Sequence, residues 1–335
     1  MGKLIATTAD LETAIGRAPA AIHLKVIDHL DPHALNWIAH SPLLFAAFGD
    51  GQAIATTIGG GPPGFARATS DALRLALDML DDPDIARPGA GFGSLFLVPG
   101  IGETLRVNGR VTETRDGQAV IRVEECYLHC AKAFIRSDFW KAQRPADESD
   151  EAGAFIAQAR FTALATIDPD GHADLSPKGD PAGAMARLDP DGMLRIPDRP
   201  GNRRADSFRN IMAQPGIAAT FLIPGSSLVA VMRGVARLNA DPATCRDFAV
   251  QGKAPSLVLE VAAQAVTLRR SSALERATLW PGPPAPRDIN PASIFVAHMK
   301  LNKDKGLGAR LASAVVSVPG LMQKGLAQDY KKNLY

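Results

Sequence analysis

The sequence predicts a mainly β chain with added helices (α+β), arranged as two tandem, related halves. Three observations carry this. The first is an internal repeat. GSLFLVPG (Gly93–Gly100) matches AATFLIPG (Ala218–Gly225), and RVNGRV (Arg106–Val111) matches VMRGVA (Val231–Ala236) in the same register. Upstream, GPPGFAR (Gly61–Arg67) resembles DPAGAMAR (Asp180–Arg187), and each half later reaches a tryptophan, Trp140 and Trp280. Three matches in one order favour duplication over chance. The second is length: 335 residues exceed one small core and suit two domains. The third is texture. From Pro42 onward, short apolar runs are broken by Gly (30 in all) and Pro (25), and aromatics are only 6%. Turns joining short strands have that composition.

Residues 1–40 read as helical and peripheral, with Asp10 and Asp31 as caps and Ala34, Trp37 and Ile38 on one face of the second helix. Ser70–Leu80 reads as an amphipathic helix lined by Leu73, Ala76, Leu77 and Leu80. Strands are expected at Leu95–Val98, Glu103–Glu113 and Val120–Ala131. Asp116-Gly117 turns the last two into a hairpin, because such a turn needs positive φ. The polar run RPADESDE (Arg144–Glu151) marks the boundary between halves, and a helix capped near Ser149 follows it. The second half then reads as strands Phe161–Ile167 and His172–Ser176 and a hairpin over Asp189–Gly192. A helix with Ala205, Phe208, Ile211 and Met212 on one face stops at Pro215-Gly216. Strands follow at Ile217–Ile223, Leu228–Leu238 and Ser256–Leu268. The expected division is 1–145, 146–285 and a basic, partly helical tail, 286–335. The tail is expected to pack on the body, since Pro319-Gly320 breaks any long amphipathic helix.

The chemistry concentrates between Asp174 and Met212. A turn bearing Lys178 is followed by a loop with Arg199, Gly201, Asn202, Arg203 and Arg204 that empties into a helix. Helix N-termini suit phosphates, and arginines there have the wrong sign for the helix dipole, so an anion would explain them. A solvated basic patch pairing with Asp198 and Asp206 fits the spacing equally well. His129 on a strand reads by itself as a structural residue, Lys132 and Arg136 as surface charges. Cys126, His129 and Cys130 lack the paired spacing of a tetrahedral metal site, so no metal is expected.

The stretch SPKGDPAG followed by IPDRPGNRRADSFRNI resembles the FMN-binding segment of pyridoxamine 5'-phosphate oxidase-like proteins, over about Phe155 to Leu238. VEECYLHCAKAFIRSDFW (Val123–Trp140) resembles the segment that ends the single barrel of the same subfamily. The resemblance implies two tandem FMN-binding split β-barrels packed as a pseudo-dimer with peripheral helices. It places Ser176, Pro177, Lys178, Gly179 and Asp180 along the flavin, and Arg199, Asn202, Arg203 and Arg204 near its phosphate. His129, Lys132, Arg136 and Trp140 come from the first half. Each half keeps a different part of the pattern, so the resemblance implies one flavin site between the halves.

The implied function is that of an FMN-binding flavoprotein, an oxidoreductase on an unidentified small molecule, with NAD(P)H as a transient donor. The alternatives are a non-catalytic flavin- or haem-binding split barrel and, more weakly, pyridoxamine 5'-phosphate oxidase itself. No Rossmann fingerprint or catalytic triad stands out, and no catalytic residue is assigned. A net charge of +2 gives no reason to invoke nucleic acid. No apolar run suits a signal peptide or a membrane span, and three cysteines make no disulfide framework. A cytoplasmic protein is therefore expected, either a monomer acting as a pseudo-dimer or a higher homo-oligomer.

Overall fold

A computed structural model describes residues 4–19, 22–141, 145, 147–201, 203–303 and 321–335. The chain opens with β1 (Leu4–Ile5), α1 (Thr8–Ile15) and α2 (Pro32–His40). The first sheet follows: β2 (Leu43–Gly49), β3 (Ile54–Gly60), β4 (Ala66–Ala68), β5 (Ala72–Ala76), β6 (Gly91–Leu97), β7 (Thr104–Arg115) and β8 (Gln118–His129). Helices α3 (Lys132–Arg136) and α4 (Ala152–Gln158) lead to the second: β9 (Phe161–Ile167), β10 (Ala173–Gly179), β11 (Arg187–Leu188), β12 (Met193–Pro197), α5 (Asp206–Ala213), β13 (Gly216–Leu222), β14 (Leu228–Asn239), α6 (Pro242–Arg246) and β15 (Val258–Arg270). The chain closes with α7 (Ser272–Ala277), α8 (Pro291–Leu301) and α9 (Leu321–Lys332).

The two sheets are antiparallel and have one topology. The first runs β3-β2-β6-β7-β8-β5-β4 and the second β10-β9-β13-β14-β15-β12-β11, so each strand along these paths has a counterpart at the same place, and β1 adds to the second by pairing with β14. Neither closes into a barrel: they are two split barrels packed together, mainly β with peripheral helices. The repeat seen in the sequence falls on matching strands, and it preserves a defect. The register slips at Asn108/Gly109 in β7 and at Arg233/Gly234 in β14. A Cβ on Gly109 would lie 2.0 Å from Arg122 O, and on Gly234 2.5 Å from Ala262 O, so each bulge needs glycine for close backbone approach.

Each half has its own core, around Trp37, Phe92 and Phe96 in the first and Phe155, Phe208 and Phe221 in the second. A third core lies between them, drawing Phe45, Phe134 and Phe139 from the first half and Phe161, Leu175 and Leu279 from the second. The Phe45 and Phe161 rings meet at 5.4 Å.

Several local expectations are corrected. In place of a helix over Ser70–Leu80 the chain forms the strand β5 (Ala72–Ala76), followed by a 3-10 turn at Leu77–Met79. Leu73 and Leu75 are buried and Arg74 between them is exposed, so a period of two competes with the helical one, and pairing with β8 decides it. α1 is capped by Thr7, which accepts from Asp10 N, and α4 by Glu151, not Ser149. Asp31 caps α2 as expected, accepting from Ala34 N, but Trp37 is fully buried, so α2 is no peripheral element. The N-terminal segment does not stay with the first half: β1 pairs with β14, and Leu11 joins the second core. The tail crosses the other way, with Ile294 of α8 in the first core.

Candidate functional site

A cavity of about 790 Å³ opens between the halves, within the range of about 300–1,000 Å³ usual for small-molecule sites. Its wall is built where α3 docks on β10. A Cβ on Gly179 would lie 2.0 Å from Ala133 O, so only glycine lets the two backbones meet. Arg136 secures the junction, donating from Nε to Gly179 O (3.0 Å) and from Nη1 to Pro200 O (3.1 Å).

Strand β10 then presents Ser176, Pro177 and Lys178 to the cavity. Lys178 Nζ pairs with Asp198 at 3.0 Å. Asp180 is 1% exposed and takes Arg199 Nε at 2.5 Å, while the buried Arg199 Nη2 has no partner among the described residues. Burial raises the Asp180 carboxyl, and the Arg199 charge opposes it. The loop into α5 carries left-handed backbone at Arg203 (φ 59°) and at the capping residue Ala205 (φ 53°). Such conformations cost non-glycine residues roughly 1–2 kcal/mol each. They turn Arg204 inward, over the Tyr127 ring at 4.2 Å and against Asp206 and Glu125. Arg203 stays exposed, beside Gly16. The arginines precede the helix, which begins at Asp206, so they do not occupy its first turn as expected.

The first half supplies His129, Lys132 and Arg136 to the same cavity. Burial, then the charges of Arg106 and Lys25, hold His129 well below its usual pKa, so it is neutral near pH 7, and its buried Nδ1 has no partner among the described residues. Lys132 pairs with Asp329 at 2.8 Å. Thus Ser176, Pro177, Lys178, Gly179, Asp180, Arg199, Arg203, Arg204, His129, Lys132 and Arg136 come together. Asn202 lies outside the described residues. Trp140 does not reach the cavity: its Nε1 donates to Ile101 O at 2.7 Å, and its ring stacks on Phe134 in the shared core.

Sequence reasoning missed several members. Arg106 of β7 is 2% exposed and bridges the halves, pairing with Asp174 at 2.5 Å and donating to Tyr127 Oη at 2.8 Å. Ser176 and Ser207 each donate to Asp174 Oδ2 at 3.0 Å. A signal existed: Arg106 falls where the repeat has Val231, and a charge inside an apolar strand asks for a buried partner. The tail members had none. Tyr335 lies 5.7 Å from the Arg199 guanidinium and 6.0 Å from that of Arg136, whose Nη1 also donates to Leu334 O at 2.8 Å. Burial and nearby Asp180 push the Tyr335 hydroxyl up to about 12. In all, nine Lys and Arg side chains but five Asp line the cavity among the described residues, which suits an anion.

The matching place in the other half is filled. Arg276 of α7 donates to Gly60 O at 2.9 Å, as Arg136 does to Gly179 O. There, however, Gly59 bridges Leu80, and Asp81 binds Ser271 Oγ (2.5 Å) and Ala273 N (2.9 Å), so the segment after β5 closes over the spot.

Elsewhere, Asp168, Asp170 and His172 bring ligand atoms within 4.8 Å on an exposed turn, but His172 is already paired with Asp168 at 3.0 Å. Cys126, Cys130 and Cys245 are free thiols.

Residues 149–270 match the family model for pyridoxamine 5'-phosphate oxidase. No curated protein matches the chain. Solved structures that resemble it include HupZ from Group A Streptococcus (17% identity, TM-score 0.30, covering 36% of this chain and 94% of that one). A putative pyridoxamine 5'-phosphate oxidase from Lactobacillus delbrueckii gives 19%, 0.29, 36% and 93%, and an F420 reductase 17%, 0.28, 36% and 98%. Similarity at this level adds nothing to the argument about chemistry.

Proposed function

We propose, from the premise that residues 149–270 belong to the pyridoxamine 5'-phosphate oxidase family, that the chain binds one flavin mononucleotide between its halves and works as an oxidoreductase on a small molecule. The observation that carries this is the inter-half cavity with its excess of cations, among them the buried Arg199 Nη2, which has no partner among the described residues. The donor set fits the group. Arg204, Ser207 and the start of α5 offer donors to a phosphate, and Lys178, Gly179 and Asp180 form a wall for a planar ring. From the first half, α3 shields the opposite side, and neutral His129 offers a ring nitrogen as a hydrogen-bond partner.

A bound flavin would supply hydride or single-electron transfer. The protein's share is orientation, hydrogen bonds and exclusion of water. The Arg106–Asp174 bridge keeps the two walls in register across the site. No helix among the described residues is long and apolar enough to cross a membrane, and the reading needs no membrane. NAD(P)H would dock transiently, since the chain has no dinucleotide fingerprint of its own.

The visible spectrum of the purified protein tests the cofactor: flavin bands support the reading and a haem Soret band overturns it. Anaerobic titration with NADH or NADPH then tests the activity. Bleaching of the flavin bands marks an oxidoreductase, and unchanged bands mark a carrier.

A further inference from the structure

Most buried cations of the cavity have a carboxylate of their own: Arg106 has Asp174, Lys132 has Asp329, Lys178 has Asp198 and Arg199 has Asp180. Lys25 has none among the described residues. It sits just before Ile27, which bridges Cys126 of β8, and is 5% exposed. Its Nζ donates to Leu128 O at 2.6 Å and lies 5.5 Å from the Tyr127 ring and 5.8 Å from that of Phe295 on α8. The charged and titratable groups around it are Arg106 of β7, Tyr127, His129 and Cys130 on or just after β8, and Arg204 before α5. No carboxylate is among them, and of these charges Arg106 and Arg204 oppose the ammonium while Cys130 favours it. One carbonyl and two ring faces offset only part of an ammonium's lost hydration, and an apolar chain of equal length would avoid that cost.

We propose that Lys25 is a ligand for an oxyanion bound in the corner of the cavity it shares with Arg204 and His129, so that the N-terminal segment completes the charge of the site. The oxyanion is either the phosphate of the cofactor or an acidic group of a second substrate. That choice rests on the flavin reading; the anion site itself does not.

Burial, together with the charges of Arg204 and Arg106, lowers the Lys25 pKa to about 8. A lowered amine pKa destabilises the ligand-free fold below pH 8. The cost fades as the pH rises toward 10.5, where the unfolded chain also loses its proton. Lys25→Met should therefore be more stable than the parent at pH 7, with a difference that shrinks between pH 8 and 10.5. It should also bind oxyanions worse. FMN affinity falling roughly ten- to hundredfold, with riboflavin affinity unchanged, assigns the corner to the cofactor phosphate. Unchanged FMN affinity with loss of the thermal shift that inorganic phosphate gives the FMN-loaded parent assigns it to a second oxyanion. Lys25→Arg should restore either behaviour. A Lys25→Met chain that is less stable, with FMN and phosphate binding unchanged, would show a purely structural lysine and overturn the proposal. If the parent binds no FMN yet loses a phosphate shift on Lys25→Met, the flavin reading fails and the anion site stands.

Discussion

Gly60 and Gly179 hold the same position in two copies of one sheet, and over each a short helix closes, its arginine donating to that glycine's carbonyl. Beyond this shared geometry the two places diverge. Past Gly179 the chain makes β11 and β12, then a long loop with Arg199 and Arg204, then α5. Past Gly60 it makes β4 and β5 and then only short 3-10 turns, at Leu77–Met79 and Pro83–Ile85, before β6. The short link folds flat on Gly59 and puts Asp81 against α7; the long one leaves a cavity and arms it with cations. One duplicated scaffold thus yields a filled and an open site. The difference lies in the segment that joins β5 to β6 in one copy and β12 to β13 in the other.

The largest expected consequence is stoichiometry. In the filled place the segment that carries Arg199 and Arg204 in the open copy instead carries Asp81, held by Ser271 and Ala273, and Asp82, paired with Arg269. It forfeits several charge-assisted contacts of about 1.5–3 kcal/mol each, or several orders of magnitude in affinity. Fully loaded protein should carry one FMN per chain by absorbance; a ratio near two breaks the comparison. Next in size is the arginine loop. Arg204→Ala should weaken FMN by about 1.5–3 kcal/mol while leaving riboflavin unchanged, and exposed Arg203→Ala should cost less. Equal losses from both, by fluorescence titration, would mean that the inward turn at Ala205 does not sort them. The smallest effect sharpens the symmetry itself. Gly60→Ala and Gly179→Ala each force a methyl to about 2 Å from a carbonyl oxygen, so each should destabilise by about 1–3 kcal/mol in urea unfolding. Only Gly179→Ala, which pushes α3 off β10, should also weaken FMN binding. Equal effects on binding would place the cofactor elsewhere.

Strands built on short, mainly apolar runs were legible. Phe161–Ile167 has the bounds read from the sequence, and the Asp116-Gly117 hairpin shows the required positive φ at both residues (51° and 71°). Ser70–Leu80 was misread because five residues with Leu at alternate positions satisfy a strand as well as part of a helix face, and only the partner strand breaks the tie. Much of the cavity lining was visible because one continuous segment, 176–204, contributes a large share of it. Trp140 stands apart from the cavity because a tryptophan flanking a motif serves a core as readily as a cavity, and here Phe134 and Phe139 pack against it.

By itself, the sequence determined what depends on local order: the repeat, the turns and the arginine-bearing loop. Backbone sterics and short-range periodicity suffice for these. The tertiary structure alone decided which distant groups meet. Lys25, Arg106 and Tyr335 reach one cavity from places up to 310 positions apart because Ile27 bridges Cys126 of β8, the tail crosses to the first half, and the shared core presses β10 against β6. Charges so far apart in sequence leave no periodic trace. Their meeting is fixed by the burial of apolar surface between the halves, which is non-directional and legible only once the chain has folded.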